Sequence, residues 1–408
     1  MHKTSSEKNR LLKTIAIAMA LLLCLGGFFV FFVREDNISQ DADTSDDFER
    51  TLFIKCNDPS LSPPTVSAKS AILIEAQSGE VIFSKNADTR LPMASTTKIM
   101  TALVAIENCD ISKPVSVSPD AVGVEGSSVY LYPEEKLTLE DLLYAMLLES
   151  ANDAAAAIAI EVGGDIEGFA EMMTKKALDM GLVDTHFENP HGLDGDAHYT
   201  TAHELALIAR EAMSNEAFRK IVSTYKKTIP LNETQGVRLL INHNKLLKSY
   251  EGAIGVKTGF TKKSGRCLVS AADRDGLMFI AVTLGAPDDW RDHSNMLDYG
   301  YSLYEARNLC DVGSFSYIMP VSGGVDDHVI LKNTDKITLI LPRTSSEIKC
   351  VVELPKFCLA PAREGEILGR LVFYLDGVEI AESKIASCQG VLSQSSQKSI
   401  FERIFHGK

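Results

Sequence analysis

Residues 92–100 read Pro92-Met93-Ala94-Ser95-Thr96-Thr97-Lys98-Ile99-Met100 and predict the start of a helix whose apolar residues continue beyond Met100. Ser95 and Lys98 stand three residues apart, which places both side chains on one helical face. A serine hydroxyl becomes a nucleophile when a base takes its proton, and a lysine can be that base only while its amine is neutral. Free lysine has a pKa of about 10.4, so neutrality near pH 7 requires a downward shift of roughly 3 units. Burial and a second cation nearby would together supply that shift.

Two further motifs distinguish Ser95 from other serines with the same spacing. Ser-x-x-Lys also occurs at Ser5/Lys8, Ser223/Lys226, Ser346/Lys349 and Ser395/Lys398. Downstream of Ser95, Ser150-Ala151-Asn152 ends a predicted helix, and Lys257-Thr258-Gly259 lies in a predicted strand. A helix junction lets side chains point into a cleft, and a sheet edge beside such a cleft is a natural peptide-binding surface.

Local signals predict the elements around these motifs. The apolar runs 71–74 and 81–83 predict a β-hairpin. Thr138 and Asp141 predict a capping box that opens an apolar helix. Asp275-Gly276 predicts the turn between two apolar strands that follow Gly259.

The length of 408 residues and the 45% hydrophobic composition allow two or three domains. From about Asp311 onward, short β-rich runs separated by turn residues predict a separate small β domain without a catalytic constellation. The predicted segments are a membrane anchor or signal segment (1–34), an acidic and Ser/Pro-rich linker (35–68), the domain with the three motifs (69–308), the β domain (309–390) and an amphipathic tail (391–408).

The N-terminus predicts export. Four cationic residues precede an uncharged stretch from Thr14 to Val33, which approaches the length of a membrane span. The stretch has no A-x-A-like end, which favours an uncleaved anchor over a cleaved signal peptide, and Cys24 follows the bulky Leu23, which disfavours lipidation. The predicted location is therefore the outer face of the cytoplasmic membrane.

Charge and cysteine content narrow the partners. The formal net charge of -14 and the lack of a basic stripe argue against nucleic acid as a partner. In the tail, Ile400, Phe401, Ile404 and Phe405 share one helical face, which predicts contact with a membrane surface through both termini. The eight cysteines form no C-x-x-C pair, and the sequence leaves disulfide pairing open.

The three motifs, in this order, resemble those of penicillin-binding proteins and serine β-lactamases. The segments 189–193 (Asn-Pro-His-Gly-Leu), 198–202 (His-Tyr-Thr-Thr-Ala) and 257–261 (Lys-Thr-Gly-Phe-Thr) narrow the resemblance to the serine D-Ala-D-Ala carboxypeptidases, the low-molecular-mass penicillin-binding proteins of peptidase family S11. The resemblance extends from Lys69 to the C-terminus. It implies an α/β (α+β) fold: a β-lactamase/transpeptidase-like domain with a central antiparallel sheet flanked by helices, plus a small C-terminal all-β domain.

The resemblance implies a role for each motif. Ser95 would attack the carbonyl between two D-alanines of a peptidoglycan stem peptide while Lys98 accepts its proton. Ser150 and Asn152 would relay protons and hold the substrate amide, and Lys257 would keep Lys98 neutral. The reaction needs no metal or other cofactor, and β-lactams acylate the same serine because they mimic the dipeptide.

The same resemblance places the substrate-binding groups. Thr258 would bind the terminal carboxylate beside Lys257, and Gly259 lets a ligand approach the strand backbone closely. The backbone N–H groups of Ser95 and Phe260 would form an oxyanion hole. Arg291 would be a second carboxylate-binding cation. Two departures from the family pattern, Ala151 and the pair His203-Glu204, remove no catalytic group.

Rival interpretations remain at this point. A zinc carboxypeptidase could use His191, Asp194, Asp196 and His198, although their spacing fits no common zinc motif. A class A β-lactamase would need a glutamate that activates the deacylating water, for which Glu188 is the nearest candidate. A catalytically weak penicillin-binding cell-wall scaffold is the third alternative, and the intact Ser95, Lys98, Asn152 and Lys257 argue against it.

Overall fold

The computed structural model describes residues 32–34, 61–231 and 236–394. The chain divides into two compact units: a larger unit, Asn57–Glu305, and a β unit that combines Ala306–Lys408 with Met1–Cys56. Most of the predicted anchor and linker, and the tail from residue 395 onward, lie outside the described residues. None of the helices within the described ranges has the length and apolarity that a membrane crossing requires.

The larger unit contains nine strands and eight α-helices among its described residues. After β1 (Phe32–Arg34) in the β unit, the strands are β2 (Ser70–Glu75), β3 (Val81–Lys85), β4 (Pro114–Ser116), β5 (Lys136–Thr138), β6 (Lys226–Leu231), β7 (Gly236–Ile241), β8 (Ala253–Thr261), β9 (Gly265–Arg274) and β10 (Leu277–Leu284). The helices are α1 (Lys98–Asn108), α2 (Leu139–Leu148), α3 (Asn152–Gly163), α4 (Ile166–Asp179), α5 (Ala202–Ser214), α6 (Glu216–Ser223), α7 (Leu246–Ser249) and α8 (Asp289–Leu303), with short 3₁₀ helices at Ala94–Thr97 and Pro119–Ala121.

A five-stranded antiparallel sheet in the order β3-β2-β10-β9-β8 forms the centre of the larger unit. Successive side chains of a strand face opposite sides of a sheet. Ile72 and Ile280 face a core that includes α1 and α5, whereas Leu73 and Phe279 contact Gly300 of α8. The sheet is thus covered by helices on both faces, which confirms the predicted central antiparallel sheet flanked by helices.

The local predictions are confirmed where short-range chemistry decides them. The Thr138 hydroxyl accepts the N–H of Asp141, and the Asp141 carboxylate accepts the N–H of Thr138, so the capping box opens α2. β2 and β3 pair as the predicted antiparallel hairpin. Asp275 and Gly276 both have positive φ angles and turn β9 into β10.

Strands make up most of the regular structure in the described part of the β unit. Its further strands are β11 (Tyr304–Cys310), β12 (Ser316–Ser322), β13 (His328–Asn333), β14 (Ile337–Pro342), β15 (Ile348–Glu353), β16 (Cys358–Leu359), β17 (Ile367–Leu375) and β18 (Val378–Ser387). They form one sheet in the order β1-β15-β17-β18-β13-β12-β16 and a separate β11-β14 pair. Alternating buried residues such as Val329 and Leu331 form its own apolar core, which confirms the predicted small all-β architecture.

Candidate active site

Ser95 lies in the 3₁₀ turn Ala94–Thr97, and Lys98 is the first residue of α1. The sequence predicted a single helix here, but the chain enters it through this tighter turn, and Ala94 has a φ of 48°. The Lys98 amine lies 3.0 Å from the Ser95 hydroxyl oxygen. Lys98 is 0% exposed, whereas Ser95 is only partly buried. The turn therefore presents the hydroxyl to the cleft while it keeps the amine out of water.

The Lys98 amine has three oxygen neighbours of two kinds. Nζ donates to the Asn152 side-chain carbonyl at 2.7 Å and to the main-chain carbonyl of His191 at 2.5 Å. Carbonyl oxygens can only accept, so these contacts use two N–H groups. The third neighbour, the Ser95 hydroxyl, can donate. A neutral amine, with two hydrogens and one lone pair, satisfies all three partners if its lone pair faces Ser95.

The electrostatics favour this neutral form. Burial lowers the pKa of Lys98 well below its usual value, the positive charge of Lys257 lowers it further, and Asp153 opposes the shift. Burial also lowers the pKa of Lys257, to about 7. Because the two amines compete for positive charge, the proton resides preferentially on Lys257. Its Nζ donates to the Ser150 hydroxyl at 3.0 Å and to the carbonyl of Thr258 at 2.8 Å.

The second motif lies at the junction of α2 and α3, as the sequence predicted. Ser150 has a φ of 60°, an uncommon angle for serine, and Asn152 begins α3. The Asn152 backbone N–H donates to the carbonyl of Ser127 at 2.7 Å, and its side-chain Nδ2 donates to the carbonyl of Glu125. Asn152 is therefore fixed from both sides, with its side-chain oxygen turned to Lys98.

The third motif lies on β8, which is the edge strand of the five-stranded sheet. A Cβ atom on Gly259 would come within 3.0 Å of the Ser95 nitrogen and 3.1 Å of the Thr96 nitrogen. The glycine therefore leaves room for the turn that carries Ser95. That it also lets a ligand approach the strand stays a prediction. Thr258 is half-buried and Phe260 is exposed, so this part of β8 runs from the buried Lys257 to the solvent.

A loop at residues 189–193 supports the serine turn, a role that the sequence did not predict; the sequence made His191 a candidate only as a metal ligand of the rival zinc site. Its His191 carbonyl accepts from Lys98, and a Cβ on Gly192 would lie 2.1 Å from the Ala94 oxygen. The Asn189 side chain accepts the N–H of Gly192 at 2.7 Å and so closes the turn. The sequence Asn-Pro-x-Gly predicts a tight turn, but no pattern of side chains could have indicated that the main-chain carbonyl of His191 binds Lys98.

His198 holds the same turn through a hydrogen-bonded chain. Its Nδ1 accepts the N–H of Glu188 at 3.0 Å, so the proton sits on Nε2, which donates to the Thr97 hydroxyl at 2.8 Å. Thr97 donates to the Ala94 carbonyl at 2.7 Å. Burial lowers the pKa of His198 to about 4, which keeps the ring neutral at pH 7.

Arg291 lies exposed in the first turn of α8. The neighbouring Asp289 accepts from Arg266 at 3.0 Å, and Arg266 stands opposite Phe260 in the β8–β9 pairing. The start of α8 is thereby tied to the strand that carries the third motif. The structure records no direct contact between the Arg291 side chain and the other predicted site residues.

The structure also shows the surroundings of the residues named for the rival zinc site and for the rival β-lactamase. Across the described ranges, no group of three or more His, Cys, Asp or Glu side chains is placed to hold a metal ion. His198 is engaged with Thr97, as above. The Glu188 carboxylate accepts the N–H of Ala197 at 3.0 Å, so it serves the 188–198 loop and not the serine turn.

Comparisons with known proteins agree on one family. The family described as D-alanyl-D-alanine carboxypeptidase matches residues 57–288, and the family described as penicillin-binding protein 5, C-terminal domain, matches residues 304–392. The chain is 33% identical to the D-alanyl-D-alanine carboxypeptidase DacF of Bacillus subtilis over 83% of this chain and 90% of that protein. It is 29% identical to DacA of Escherichia coli over 80% of this chain and 84% of that protein.

Two solved structures are similar to this chain. Penicillin-binding protein 5 from Haemophilus influenzae has a TM-score of 0.59 at 27% identity and covers 82% of this chain and 100% of its own. The Streptomyces K15 DD-transpeptidase has a TM-score of 0.57 at 34% identity and covers 60% of this chain and 100% of its own.

Proposed function

The chain belongs to the D-alanyl-D-alanine carboxypeptidase family of serine hydrolases, and from this premise we propose that its reaction runs through an acyl-enzyme on Ser95. The protein is a D-Ala-D-Ala carboxypeptidase that acts on peptidoglycan stem peptides, and β-lactams acylate it as they do its family. What remains to be assigned is the part that each residue takes in the chemistry.

In the acylation step, neutral Lys98 takes the proton of the Ser95 hydroxyl as the oxygen bonds to the carbonyl carbon between the two D-alanines. The negative charge moves to the carbonyl oxygen, where the backbone N–H groups of Ser95 and Phe260 stabilise it. The C–N bond then breaks, and the leaving amine must gain one proton. Ser150 lies 3.0 Å from the Lys257 amine, so this pair supplies a proton route on the leaving-group side.

Substrate binding uses the strand and the nearby cations. Thr258 and Lys257 bind the terminal carboxylate, with Arg291 as a second cation at the open end of the cleft. Asn152 holds the amide on the acyl side. Gly259 keeps β8 close enough to the serine turn for both oxyanion donors to reach one oxygen.

Once the leaving amine has taken its proton from the Ser150–Lys257 pair, the proton on Lys98 passes to Lys257, and Lys98 is neutral again. In the second step, Lys98 takes a proton from a water molecule as the water oxygen bonds to the ester carbon. Lys98 then returns that proton to the Ser95 oxygen as the ester bond breaks, which releases the shortened stem peptide.

The observation that carries this proposal is the environment of Lys98. Two carbonyl acceptors and one hydroxyl surround a fully buried amine, and this set fits a base that is ready to take the Ser95 proton. The experiment is D-alanine release from a pentapeptide ending in D-Ala-D-Ala, with full-length protein in detergent.

Ser95→Ala should abolish both D-alanine release and covalent labelling by fluorescent penicillin. Ser223→Ala is the matched control, because Ser223 stands in a second Ser-x-x-Lys pattern and is exposed; it should leave both readouts intact. D-alanine release that persists in folded Ser95→Ala would refute the assignment.

We further propose export and attachment to the outer face of the cytoplasmic membrane through residues 1–34 and 391–408, with 69–308 as the catalytic domain and 309–390 as the β domain. The support is the sequence pattern of the two ends. Membrane fractions of cells that express the full chain should retain the protein. After proteolytic removal of residues 1–34, the protein with Phe401→Asp and Phe405→Asp in its tail should co-float with anionic vesicles to a smaller extent than the same protein with an unaltered tail. Unchanged flotation would refute a role for the tail.

A further inference from the structure

The loop of residues 125–135 lies directly against the catalytic asparagine. The Glu125 carbonyl accepts the Asn152 side-chain amide, and the Ser127 carbonyl accepts its backbone N–H at 2.7 Å. A Cβ on Gly126 would lie 2.7 Å from the Asn152 side-chain nitrogen. Because the backbone of this 125–135 loop contacts Asn152, the side chains of the loop lie close to the place where the acyl part of the substrate is held.

Buried polar contacts hold this loop firmly. Ser128 donates to the Asp153 carboxylate at 2.6 Å. Arg238 donates to the carbonyls of Val129 at 2.9 Å and Tyr130 at 3.0 Å and forms a buried ion pair with Glu135. A flexible loop loses conformational entropy when it binds a ligand, and a loop that is already fixed avoids this loss.

The fixed loop nevertheless presents large aromatic rings to water. Tyr130 is 80% exposed and Tyr132 is 52% exposed, and Tyr130 adopts a φ of 57°. Glu125, on the same loop, is an exposed carboxylate. An aromatic ring and a carboxylate carried by one fixed loop can together recognise an ammonium group, by cation–π attraction and by charge. The Arg238 guanidinium over the Tyr132 ring, at 5.9 Å, shows a cation already bound to this loop in that way.

We propose that Glu125 and Tyr130 form a subsite for a free primary ammonium on the stem peptide, carried by a residue N-terminal to the D-Ala-D-Ala unit. The inference rests on the proposed function, which places the terminal carboxylate at Thr258 and the acyl side at Asn152. A stem peptide held in that direction leaves the cleft past the 125–135 loop. The subsite selects stems whose diamino residue has not been acylated or crosslinked.

The test compares two pentapeptides that differ in one group. Both are Nα-acetyl-L-Ala-γ-D-Glu-L-Lys-D-Ala-D-Ala, so that the lysine carries the one primary amine, with its side chain either free or Nε-acetylated, which removes its charge. The full-length protein should show a kcat/KM about five- to tenfold higher for the free amine, the size expected of one exposed ion pair plus one cation–π contact. Because the readout is the ratio of kcat/KM for the two peptides, a general loss of activity cancels.

Glu125→Gln and Tyr130→Ala should each lower this ratio by about two- to fivefold. Glu134→Gln, an exposed carboxylate on the same loop, and Tyr317→Ala, an exposed tyrosine of the β unit, are the matched controls and should keep both ratio and activity. Equal kcat/KM for both peptides in the unaltered protein, or a high ratio that neither variant lowers, would overturn the subsite while leaving the carboxypeptidase reaction in place. Failure to release D-alanine from either peptide would overturn the proposed function, and the subsite with it.

Discussion

Replacing Lys257 with glutamine tests whether the second lysine keeps the base neutral. In the structure the Lys257 charge lowers the pKa of Lys98 beyond the effect of burial. At an effective dielectric constant of about 20, Coulomb's law gives a like unit charge a few ångströms away an effect on the order of 3 kcal/mol. Lys257→Gln should therefore raise the pKa of Lys98.

The sign follows from the step that Lys98 performs. Acylation requires its neutral form, so the acylation rate is lost as pH falls through the pKa of Lys98. Since burial lowers the pKa of Lys257 to about 7, Lys257 is charged over that acidic range and exerts its full effect there. Glutamine at 257 should therefore move the acidic limb of the pH profile to higher pH.

The assay is the second-order rate of acylation by a fluorescent penicillin between pH 4 and pH 9, with the midpoint of the acidic limb as the readout. The midpoint is insensitive to a uniform loss of binding. Lys262→Gln is the matched control because Lys262 is exposed at the turn after β8, and its midpoint should equal that of the unaltered protein. An acidic limb that stays in place in Lys257→Gln would refute the role given to the second lysine.

Two further substitutions test how the site is supported. Gly192→Ala should reduce the acylation rate by about 10²-fold, because its Cβ would lie 2.1 Å from the Ala94 oxygen and displace the serine turn. The control is Gly181→Ala, where φ is also positive but no atom lies near the new Cβ, and it should keep the unaltered acylation rate. Equal acylation rates in the two variants would contradict the role given to Gly192. Arg238→Ala should lower the free energy of unfolding by about 2–4 kcal/mol in urea titrations, because it breaks a buried ion pair. Adding Glu135→Gln should recover part of that loss, and no recovery would refute the ion-pair explanation.

The sequence was sufficient where short-range chemistry determines the structure. Thr138 and Asp141 cap a helix because both groups belong to the same turn, and Asp275-Gly276 supplies two positive φ angles for one hairpin. The motif residues were also recognisable, since Ser95 and Lys98 stand three residues apart across a 3₁₀ turn that runs directly into α1. These features depend on neighbours within a few residues, which one sequence contains.

The remaining features depend on which distant segments meet. The two carbonyl acceptors of Lys98 come from Asn152 and from the main chain of His191, and a main-chain oxygen carries no sequence signature. The close approach of Gly259 to the Ser95 turn was missed for the same reason, because the two segments lie far apart in the sequence. Pairing of β8 at the sheet edge, which brings Lys257 to Ser150, likewise follows only from tertiary packing.

The two lysines also make folding depend on pH, because both have a lower pKa in the folded chain than the usual 10.5. The unfolded chain then binds more protons, so stability falls as pH drops from about 10 through the folded pKa, by about 1.4 kcal/mol per unit for each lysine. Between pH 7 and 8.5 the free energy of unfolding should rise less steeply in Lys257→Gln than in the unaltered protein, since one depressed lysine is gone and the pKa of Lys98 is raised. Equal slopes in urea titrations would show that the buried amines do not titrate as the structure requires. The neutral base at Ser95 is therefore maintained at the expense of stability near neutral pH.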